Sequence, residues 1–410
     1  MALRHCTCKP IGGRTIQHYL CKYGKHPPAS GTIVIIDEWS EVPLHVWAVL
    51  AHWKLFGVIF ALVGDADGQK KPSFDSWKDA MEKHDIRYSS LIHELCGGVK
   101  LHMRTYRRGK DQELFDRMEA LYPFADDKSD KCKRETLEQW REWYRLQSLD
   151  VIDAYYLVLS HADRLKMNKM VNWHLAERQT QKLFLKCQGN LKGVSNQPQD
   201  MIVWPGMELQ CVSRKTILNG PVIGVVYVVD GWDGTHLTVT QHEDFDVDPL
   251  IVRAPLQRQS QAPELDETDD EEDVESDHDE VEVLPDSVKN KGLSQKIVKE
   301  IKRPDGKVVK RDSFRMTFKF ANENMRLQHA IVHAQIQGRT FRKDVVVMDL
   351  DSVHVKMRDI ITAVGRPTTG EHLHFPTYKQ NVELLERATR GGLNGKFDLQ
   401  KRANESPQAV

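Results

Sequence analysis

The sequence predicts an α/β protein with two parallel-sheet units and a small β-barrel. Three observations lead to this class. Apolar runs of strand length, Thr32–Ile36 and Val58–Val63, lie on either side of a helix-like segment. A third run, Tyr155–Ser160, also precedes a helical pattern, and strands that alternate with helices are typical of parallel sheets. Residues 200–255 instead contain short strands separated by Gly turns, which predicts a barrel.

Polar side chains follow the first two apolar runs. Asp37 and Glu38 come directly after the first run, and Asp65 and then Gln69 come after the second. Uninterrupted apolar runs are typical of parallel strands that are covered on both faces. Open α/β sheets bind ligands at the carboxyl ends of such strands. These side chains therefore predict a site for a metal-bound nucleotide phosphate and an attacking water.

Changes in composition divide the chain into six segments. They are a partial first parallel-sheet domain (1–120), a helical segment with the start of the second domain (121–199), the barrel (200–255), an acidic linker (256–290), the remainder of the second domain (291–378) and a C-terminal tail (379–410). In the helical segment, the spacing of Leu137, Trp140, Trp143 and Tyr144 predicts a helix whose aromatic side packs in the core. Base stacking by one of these aromatic rings is the alternative.

Charge is distributed unevenly along the chain, although the net charge is only -1. Thirteen acidic residues and no Lys or Arg lie between Glu264 and Glu282, which leaves 58 basic against 46 acidic residues elsewhere. A basic body is typical of nucleic-acid-binding proteins. The acidic segment is predicted to be disordered and to have a protein partner. The alternative is a soluble protein with an acidic insertion and no nucleic-acid partner.

Other features of composition bear on location. The mean hydropathy is -0.52, and no apolar stretch approaches the roughly 20 residues that a membrane helix needs. The first ten residues show no apolar signal segment, and the seven cysteines have irregular spacing. We therefore expect an intracellular protein of the nucleus or cytoplasm, neither secreted nor membrane-bound.

Two motifs at the strand ends resemble those of superfamily-one DNA helicases of the RecD-like and Pif-like group. "IVIIDEWSEVP" is similar to motif II, and "LVGDADGQKKP" is similar to motif III. The resemblance implies that Asp37 holds Mg²⁺ through water, that Glu38 polarises the attacking water and that Gln69 senses the γ-phosphate. This sequence has one extra residue between Asp65 and Gln69 compared with the family pattern.

Two further stretches on the amino-terminal side resemble the same family. "IGGRTIQHYL" is similar to the segment after motif Ia, which implies that Thr15 and His18 contact the backbone of single-stranded DNA. "VKLHMRTYRRGKDQELF" is similar to motif IV, which implies that Arg107 contacts the γ-phosphate, with Arg108 as the alternative.

The second half of the chain resembles the family in three more places. "WPGMELQCVSRKTILNGPVIGVV" is similar to the signature of an inserted SH3-like barrel. In "HAIVHAQIQGRTFRKDVVVMD", Gln337, Gly338 and Thr340 match motif V; the first two are expected at the nucleotide and Thr340 at the nucleic-acid backbone. In "IITAVGRPTTGEHLHF", Arg366 matches the arginine finger of motif VI. His333 stands one residue further from Gln337 than the family's His does.

The resemblance implies an ATP-dependent DNA helicase of the P-loop NTPase superfamily, with two RecA-like motor domains. ATP and Mg²⁺ would bind between them, so that Glu38 and Arg366 face each other, and the partner would be single-stranded or forked DNA, with RNA as the alternative. The phosphate loop Gly-x-x-x-x-Gly-Lys-Ser/Thr occurs nowhere in these 410 residues. We therefore expect an amino-terminally truncated protein, in which Met1 corresponds to an internal methionine of a longer protein. We also expect its ATP hydrolysis to be impaired.

Two other functions stay open at this point. The chain could be a non-catalytic nucleic-acid-binding remnant of such a motor. Alternatively, Asp37, Glu38, Asp65 and Asp67 could hold divalent metals for a nuclease or a glycosyltransferase.

Overall fold

The computed structural model describes most of the chain. The described residues are 1–2, 8, 12–23, 26–65, 89–103, 109, 111–127, 129–187, 189, 196–212, 220–246, 293–303, 306 and 308–393. Gln69, Asp67, Arg107, Arg108 and the acidic linker lie outside this part of the chain.

The described elements are numbered in chain order. The helices are α1 (Ile16–Tyr23), α2 (Leu44–Leu55), α3 (Ser90–Leu95), α4 (Gln112–Glu119), α5 (Asp130–Trp143), α6 (His161–Ala176), α7 (Phe318–Asn324), α8 (Met357–Val364) and α9 (Tyr378–Leu393). The strands are β1 (Ile33–Asp37), β2 (Ile59–Val63), β3 (Tyr155–Val158), β4 (Leu183–Leu185), β5 (Met201–Val203), β6 (Glu208–Cys211), β7 (Val226–Trp232), β8 (His236–Gln241), β9 (Leu293–Lys302), β10 (Val308–Thr317), β11 (Met325–Leu327), β12 (Ala330–Val332), β13 (Val345–Val347) and β14 (Leu373–His374). No helix in the described part of the chain is both long enough and apolar enough to cross a membrane.

The first sheet consists of β1 and β2, which run parallel so that Asp37 lies opposite Val63. Its core is formed by Val34, Ile36 and Phe60, and α1, α2 and α3 pack on that same face. The sequence predicted coverage on both faces, and this is wrong in the structure. Ile33 is 65% exposed, Ile35 51% and Ile59 48%, because all three helices lie on the other side of the sheet.

The second sheet consists of four parallel strands in the order β12-β3-β13-β14. Both of its faces are covered, so every residue of β3 is buried. Tyr156 and Val158 pack with residues of α6 and α9, whereas Leu157 packs with residues of α4, α5 and α8 on the opposite face. The predicted α/β class with two parallel sheets is therefore confirmed.

A six-stranded antiparallel sheet, here called the β-domain, has the order β11-β6-β7-β8-β10-β9. It is an insertion, because it lies in sequence between β3 and β12, which are neighbours in the second sheet. The boundary predicted at residue 255 is too early. The β9 and β10 strands, which we assigned to the second parallel-sheet domain, pair in the β-domain, with Phe314 of β10 opposite Val239 of β8.

Two other predicted boundaries also differ from the packing. The α4 helix was assigned to the first domain, but its Leu114 is buried against the core of the second sheet. The α9 helix was assigned to the tail, but its Leu384 and Ala388 are buried in the core that α6 shares. In both cases the helix has one apolar stripe, and the packing partner of that stripe lies far away in the sequence.

Candidate functional site

The predicted acid pair lies at the carboxyl end of β1. Asp37 is the last residue of the strand, and Glu38 follows in the left-handed conformation with φ 53° and ψ 44°. The backbone N–H of Glu38 donates to Oδ1 of Asp37 at 3.0 Å. A left-handed conformation is uncommon for a residue other than glycine, and such strain is concentrated at functional sites.

The end of β2 packs tightly against this pair. A Cβ added to Gly64 would lie 3.2 Å from Cα of Glu38 and 3.2 Å from the backbone N of Trp39, so a larger residue would require these backbone atoms to shift by a few tenths of an ångström. The next residue, Asp65, accepts a hydrogen bond at Oδ2 from the hydroxyl of Tyr122 at 2.7 Å. Tyr122 packs against the core of the second sheet, so this bond connects the two sheets at the predicted site.

The carboxyl group of Asp37 is half-buried, and burial raises its pKa above the ordinary value of 3.8. The hydrogen bond from Glu38 and the charge of the terminal amino group oppose this shift in pKa. A single carboxylate at a strand end fits Mg²⁺, which keeps several waters when it binds to proteins. Among the described residues, no three His, Cys, Asp or Glu side chains lie close enough together to hold a metal ion without other ligands.

We expect Asp37→Asn to raise the stability of the protein at pH 7 but not at acidic pH. Because the pKa of Asp37 is raised in the folded state, the folded protein binds this proton more tightly than the unfolded chain does. The carboxylate therefore reduces stability once the pH rises through its pKa, and the asparagine removes that penalty. Urea denaturation of both proteins at pH 7 and at about pH 4 would measure this. If the two proteins differed in their free energy of unfolding by the same amount at both pH values, the raised pKa of Asp37 would be contradicted.

Residues of motifs V and VI lie side by side at the second sheet. Arg366 is buried, and its Nε donates to the carbonyl of Thr362 at 3.0 Å while Nη1 donates to the carbonyl of Arg339 at 3.5 Å. The backbone N–H of Phe341 donates to the carbonyl of Arg366 at 2.9 Å, and that of Thr368 donates to the carbonyl of Phe341 at 3.0 Å. The Gln337 loop (337–341) and the Arg366 loop (365–370) therefore form one unit.

Within the Gln337 loop, Gln337 is buried, Gly338 has a φ of 77° and Thr340 is partly exposed. Sequence reasoning missed Arg339, whose Nη1 donates to Oε1 of Gln328 at 2.7 Å. Gln328 in turn donates to Gln210 of the β-domain at 3.1 Å. The Gln337 loop is thus anchored to the β-domain through buried side chains, and no sequence pattern indicated this connection.

The segment after Arg107 contacts the Arg366 loop. A Cβ added to Gly109 would lie 1.9 Å from the carbonyl oxygen of Thr368, so only glycine fits there. Oδ2 of Asp111 accepts a hydrogen bond from the backbone N–H of Gly370 at 2.7 Å. The structure therefore brings the described end of the motif IV stretch beside motif VI. Whether Glu38 faces Arg366 stays a prediction.

The two residues predicted at the nucleic-acid backbone near α1 differ in environment. Thr15 is buried, and its hydroxyl oxygen accepts a hydrogen bond from the backbone N–H of His18 at 3.3 Å, which caps α1. His18 is exposed, and its ring meets Tyr19 edge-on at 5.6 Å between centroids. His333 is buried and its Nε2 bonds to the carbonyl of Met348 at 3.0 Å, as a packing residue does.

Two parallel sheets, of which the second carries an inserted β-domain, make this a mixed α/β fold. No protein-family model matches the chain, and no curated protein matches its sequence. A Pif1 helicase from Bacteroides in complex with ADP-AlF3 and ssDNA is similar in structure over 94% of this chain and 85% of that one, with a TM-score of 0.50 and 14% identity. Bacteroides Pif1 bound to ssDNA is similar over 96% of this chain and 87% of that one, with a TM-score of 0.50 and 13% identity. The chain therefore has the fold of these helicases.

Proposed function

We propose that this chain is the motor of an ATP-dependent DNA helicase of the Pif1 kind, with impaired ATP hydrolysis. The observation that carries the proposal is the presence of two features in this fold. The first is the acid pair at the carboxyl end of β1, and the second is the unit formed by the Gln337 and Arg366 loops at the second sheet. One of the similar Bacteroides structures is a complex with ADP-AlF3 and ssDNA, and the other is bound to ssDNA.

In this proposal the acids and the arginines act on opposite sides of the nucleotide. Glu38 would accept a proton from the attacking water, and Asp37 would hold Mg²⁺ through water. Mg²⁺, when bound, neutralises charge on the phosphates. Gln69, Gln337 and Gly338 contact the nucleotide, while Arg107 and Arg366 stabilise the charge that develops in the transition state.

The nucleic-acid strand would cross the carboxyl edges of both sheets. Thr340 is the backbone contact at the second sheet and His18 the exposed candidate near the first, with Thr15 acting through the start of α1. Outside the acidic segment the chain carries 58 basic against 46 acidic residues, which favours a phosphate backbone as partner. Action on single-stranded or forked DNA also implies a location in the nucleus or cytoplasm.

The test is titration of a fluorescein-labelled oligo-dT with the full chain at several salt concentrations. We expect binding whose logarithmic salt slope is about −2 to −3.5, the value for three to five phosphate contacts on a single strand. Binding of oligo-U at equal affinity would extend the substrate to RNA. Absence of salt-dependent binding to either strand would contradict the proposed function.

Hydrolysis is tested separately with a steady-state ATPase assay in the presence of oligo-dT. Since these 410 residues contain no phosphate loop, we expect slow turnover or none. Any turnover observed is expected to disappear in Glu38→Gln, which keeps the size of the side chain but not the base. Robust turnover in the unmodified chain would contradict the expected impairment while supporting the motor.

A second candidate is a nucleic-acid-binding protein without catalysis, which the absence of the phosphate-loop pattern from the sequence favours. It predicts that a non-hydrolysable ATP analogue leaves the affinity for oligo-dT unchanged, whereas a motor predicts a shift. Nicking of plasmid DNA with Mg²⁺ or Mn²⁺ alone would instead favour the nuclease alternative.

A further inference from the structure

A stripe of buried polar side chains runs along the inner face of α6. Arg164, Asn168 and Asn172 follow one another at four-residue spacing, and all three are buried. Asn168 exchanges two hydrogen bonds with the backbone of Ala330, at 3.3 Å and 2.7 Å. Asn172 exchanges two with the backbone of Ile202, at 2.8 Å and 2.9 Å. Both amide groups are thus satisfied by strands that pack against the helix.

Arg164 differs from the two asparagines, although it is only 2% exposed. Its Nε and Nη2 atoms are enclosed, and neither has a hydrogen-bond partner among the described residues. Buried guanidinium groups are normally paired, since an enclosed charge without a partner is costly. Of the three side chains in this stripe, Arg164 therefore has the greatest need of hydrogen-bond partners, yet the described residues supply none to its Nε and Nη2 atoms.

Two other nitrogen-bearing side chains share this environment. Arg326 is 2% exposed, and its Nη1 donates to the carbonyls of Asn322 and Glu323 at the end of α7. Its Nη2 and the Nδ1 atom of His161 are enclosed, and the part of the chain that the structure describes offers neither atom a partner. All three groups are hydrogen-bond donors when protonated.

The electrostatics of these groups agree with the geometry. Burial, and then the charge of Arg326, lowers the pKa of Arg164 to about 10. Burial likewise lowers the pKa of Arg326 to about 10, and burial with the charge of Arg164 lowers the pKa of His161. Cys187 and Cys211 oppose the shift in the pKa of Arg326, and among the described residues no carboxylate is a cause of the three shifts. In the described part of the chain, the cluster therefore has positive charge without a carboxylate partner.

Two members of the cluster, His161 and Arg164, lie in the first turn of α6, directly after the carboxyl end of β3, and Arg326 lies in β11. This is the edge where open α/β sheets bind ligands, and the first turn of a helix favours anions. The carboxylate of Asp163 in this turn is engaged elsewhere. Its Oδ2 accepts from the hydroxyl of Ser160 at 2.7 Å, and its Oδ1 lies 3.1 Å from Nζ of Lys166.

We propose that Arg164, Arg326 and His161 form a binding site for a phosphate group. Guanidinium groups match the oxygens of phosphate in charge and geometry, and the enclosed nitrogens supply the donors. The phosphate belongs either to a nucleic-acid strand or to a free anion. The site is separate from the residues assigned to ATP and Mg²⁺, and it stands whether or not the chain hydrolyses ATP.

The first test compares thermal unfolding in sodium phosphate and in sodium chloride at equal ionic strength. We expect phosphate to raise the midpoint of the unmodified chain by roughly 5 °C at about 100 times the Kd. Arg164→Met is expected to lose this response, and to be the more stable protein in chloride because a buried uncompensated charge is gone. Lys169→Met, at an exposed position of the same helix, is expected to keep the response.

Arg164→Lys provides a second variant that keeps the charge and is expected to keep part of the phosphate response. The proposal would be overturned if phosphate and chloride gave equal midpoints for the unmodified chain. An equal phosphate response in Arg164→Met and in the unmodified chain would overturn it as well.

The source of the phosphate is distinguished with labelled oligo-dT. A strand phosphate predicts that Arg164→Met weakens binding and reduces the magnitude of the salt slope by about 0.7, the value for one lost contact. A free anion predicts unchanged oligo-dT affinity together with a lost thermal response to phosphate. The thermal unfolding test needs neither DNA nor ATP. Its result would therefore still decide whether the phosphate site exists if the helicase proposal failed.

Discussion

Replacement of Trp140 by alanine is expected to lower the free energy of unfolding by about 3–5 kcal/mol. Trp140 is fully buried on α5, with ring centroids 5.8 Å from Phe375 and 5.4 Å from Tyr144. Alanine would leave a cavity between α5 and the second sheet, because neighbours held by the parallel strands relax only partly. Guanidinium denaturation, followed by far-UV circular dichroism, would measure the loss.

The matched control is Trp143→Ala in the same helix. Trp143 is only partly buried, and Cζ of Arg117 lies 4.1 Å from its ring centroid. We expect a loss of roughly 0.5–2 kcal/mol, the range for a cation–π pair at such sites. If Trp140→Ala left stability unchanged and weakened binding to oligo-dT instead, the base-stacking alternative would hold and the core assignment would be wrong.

The α5 helix illustrates what the sequence alone could predict. Apolar spacing in a long amphipathic segment reflects a face that must be buried, so the aromatic side of α5 was predicted correctly. The strand end that carries Asp37 and Glu38 was predictable for a similar reason, since an apolar run followed by acids indicates a strand and its end. In both cases the signal is local, within one turn or one strand.

Features that depend on distant pairing were not predictable. The sequence near β9 and β10 shows strands, but nothing in it indicates that β10 pairs with β8 across the acidic linker. The exposed face of the first sheet is a similar case. Apolar runs indicate that a strand is buried on at least one face. The positions of α1, α2 and α3 decide which face of the first sheet is buried.

The residues around the candidate sites show the same limit. Arg339 lies within a stretch that resembles motif V, but its bond to Gln328 depends on how the β-domain docks. The four-residue spacing of Arg164, Asn168 and Asn172 was visible in the sequence, yet polar residues at helical spacing are more often on a solvated face. Burial of that stripe follows from the second sheet and the β4–β5 pair, which pack on α6.

Asp246→Ala is expected to lower the free energy of unfolding by about 3–5 kcal/mol, because it removes a buried carboxylate from its ion pair with the mostly buried Arg311. The side chain of Asp246 is 2% exposed. Its Oδ1 and Oδ2 accept from Nε and Nη2 of Arg311, both at 2.8 Å, and Oδ2 also accepts from Arg303. Arg303 follows β9 and Arg311 lies in β10, so one carboxylate holds both strands of that hairpin beside the chain that leaves β8.

The matched control is Asp233→Ala, which removes a carboxylate from the same β-domain at an exposed position. Asp233 accepts from Nε and Nη2 of Arg315 at 3.1 Å and 2.6 Å, but both side chains of this pair are well exposed. Solvent screens the exposed pair, but Oδ1 of Asp233 also accepts from the backbone N–H groups of Thr235 and His236, both at 3.0 Å. We therefore expect a loss of stability that is clearly smaller than in Asp246→Ala. Equal losses in the two variants would show that Asp246 is not a buried anchor. A large loss in Asp246→Ala alone would show that this ion-pair network stabilises the β-domain. In this domain β8 pairs with β10, although the acidic linker separates the two strands in the sequence.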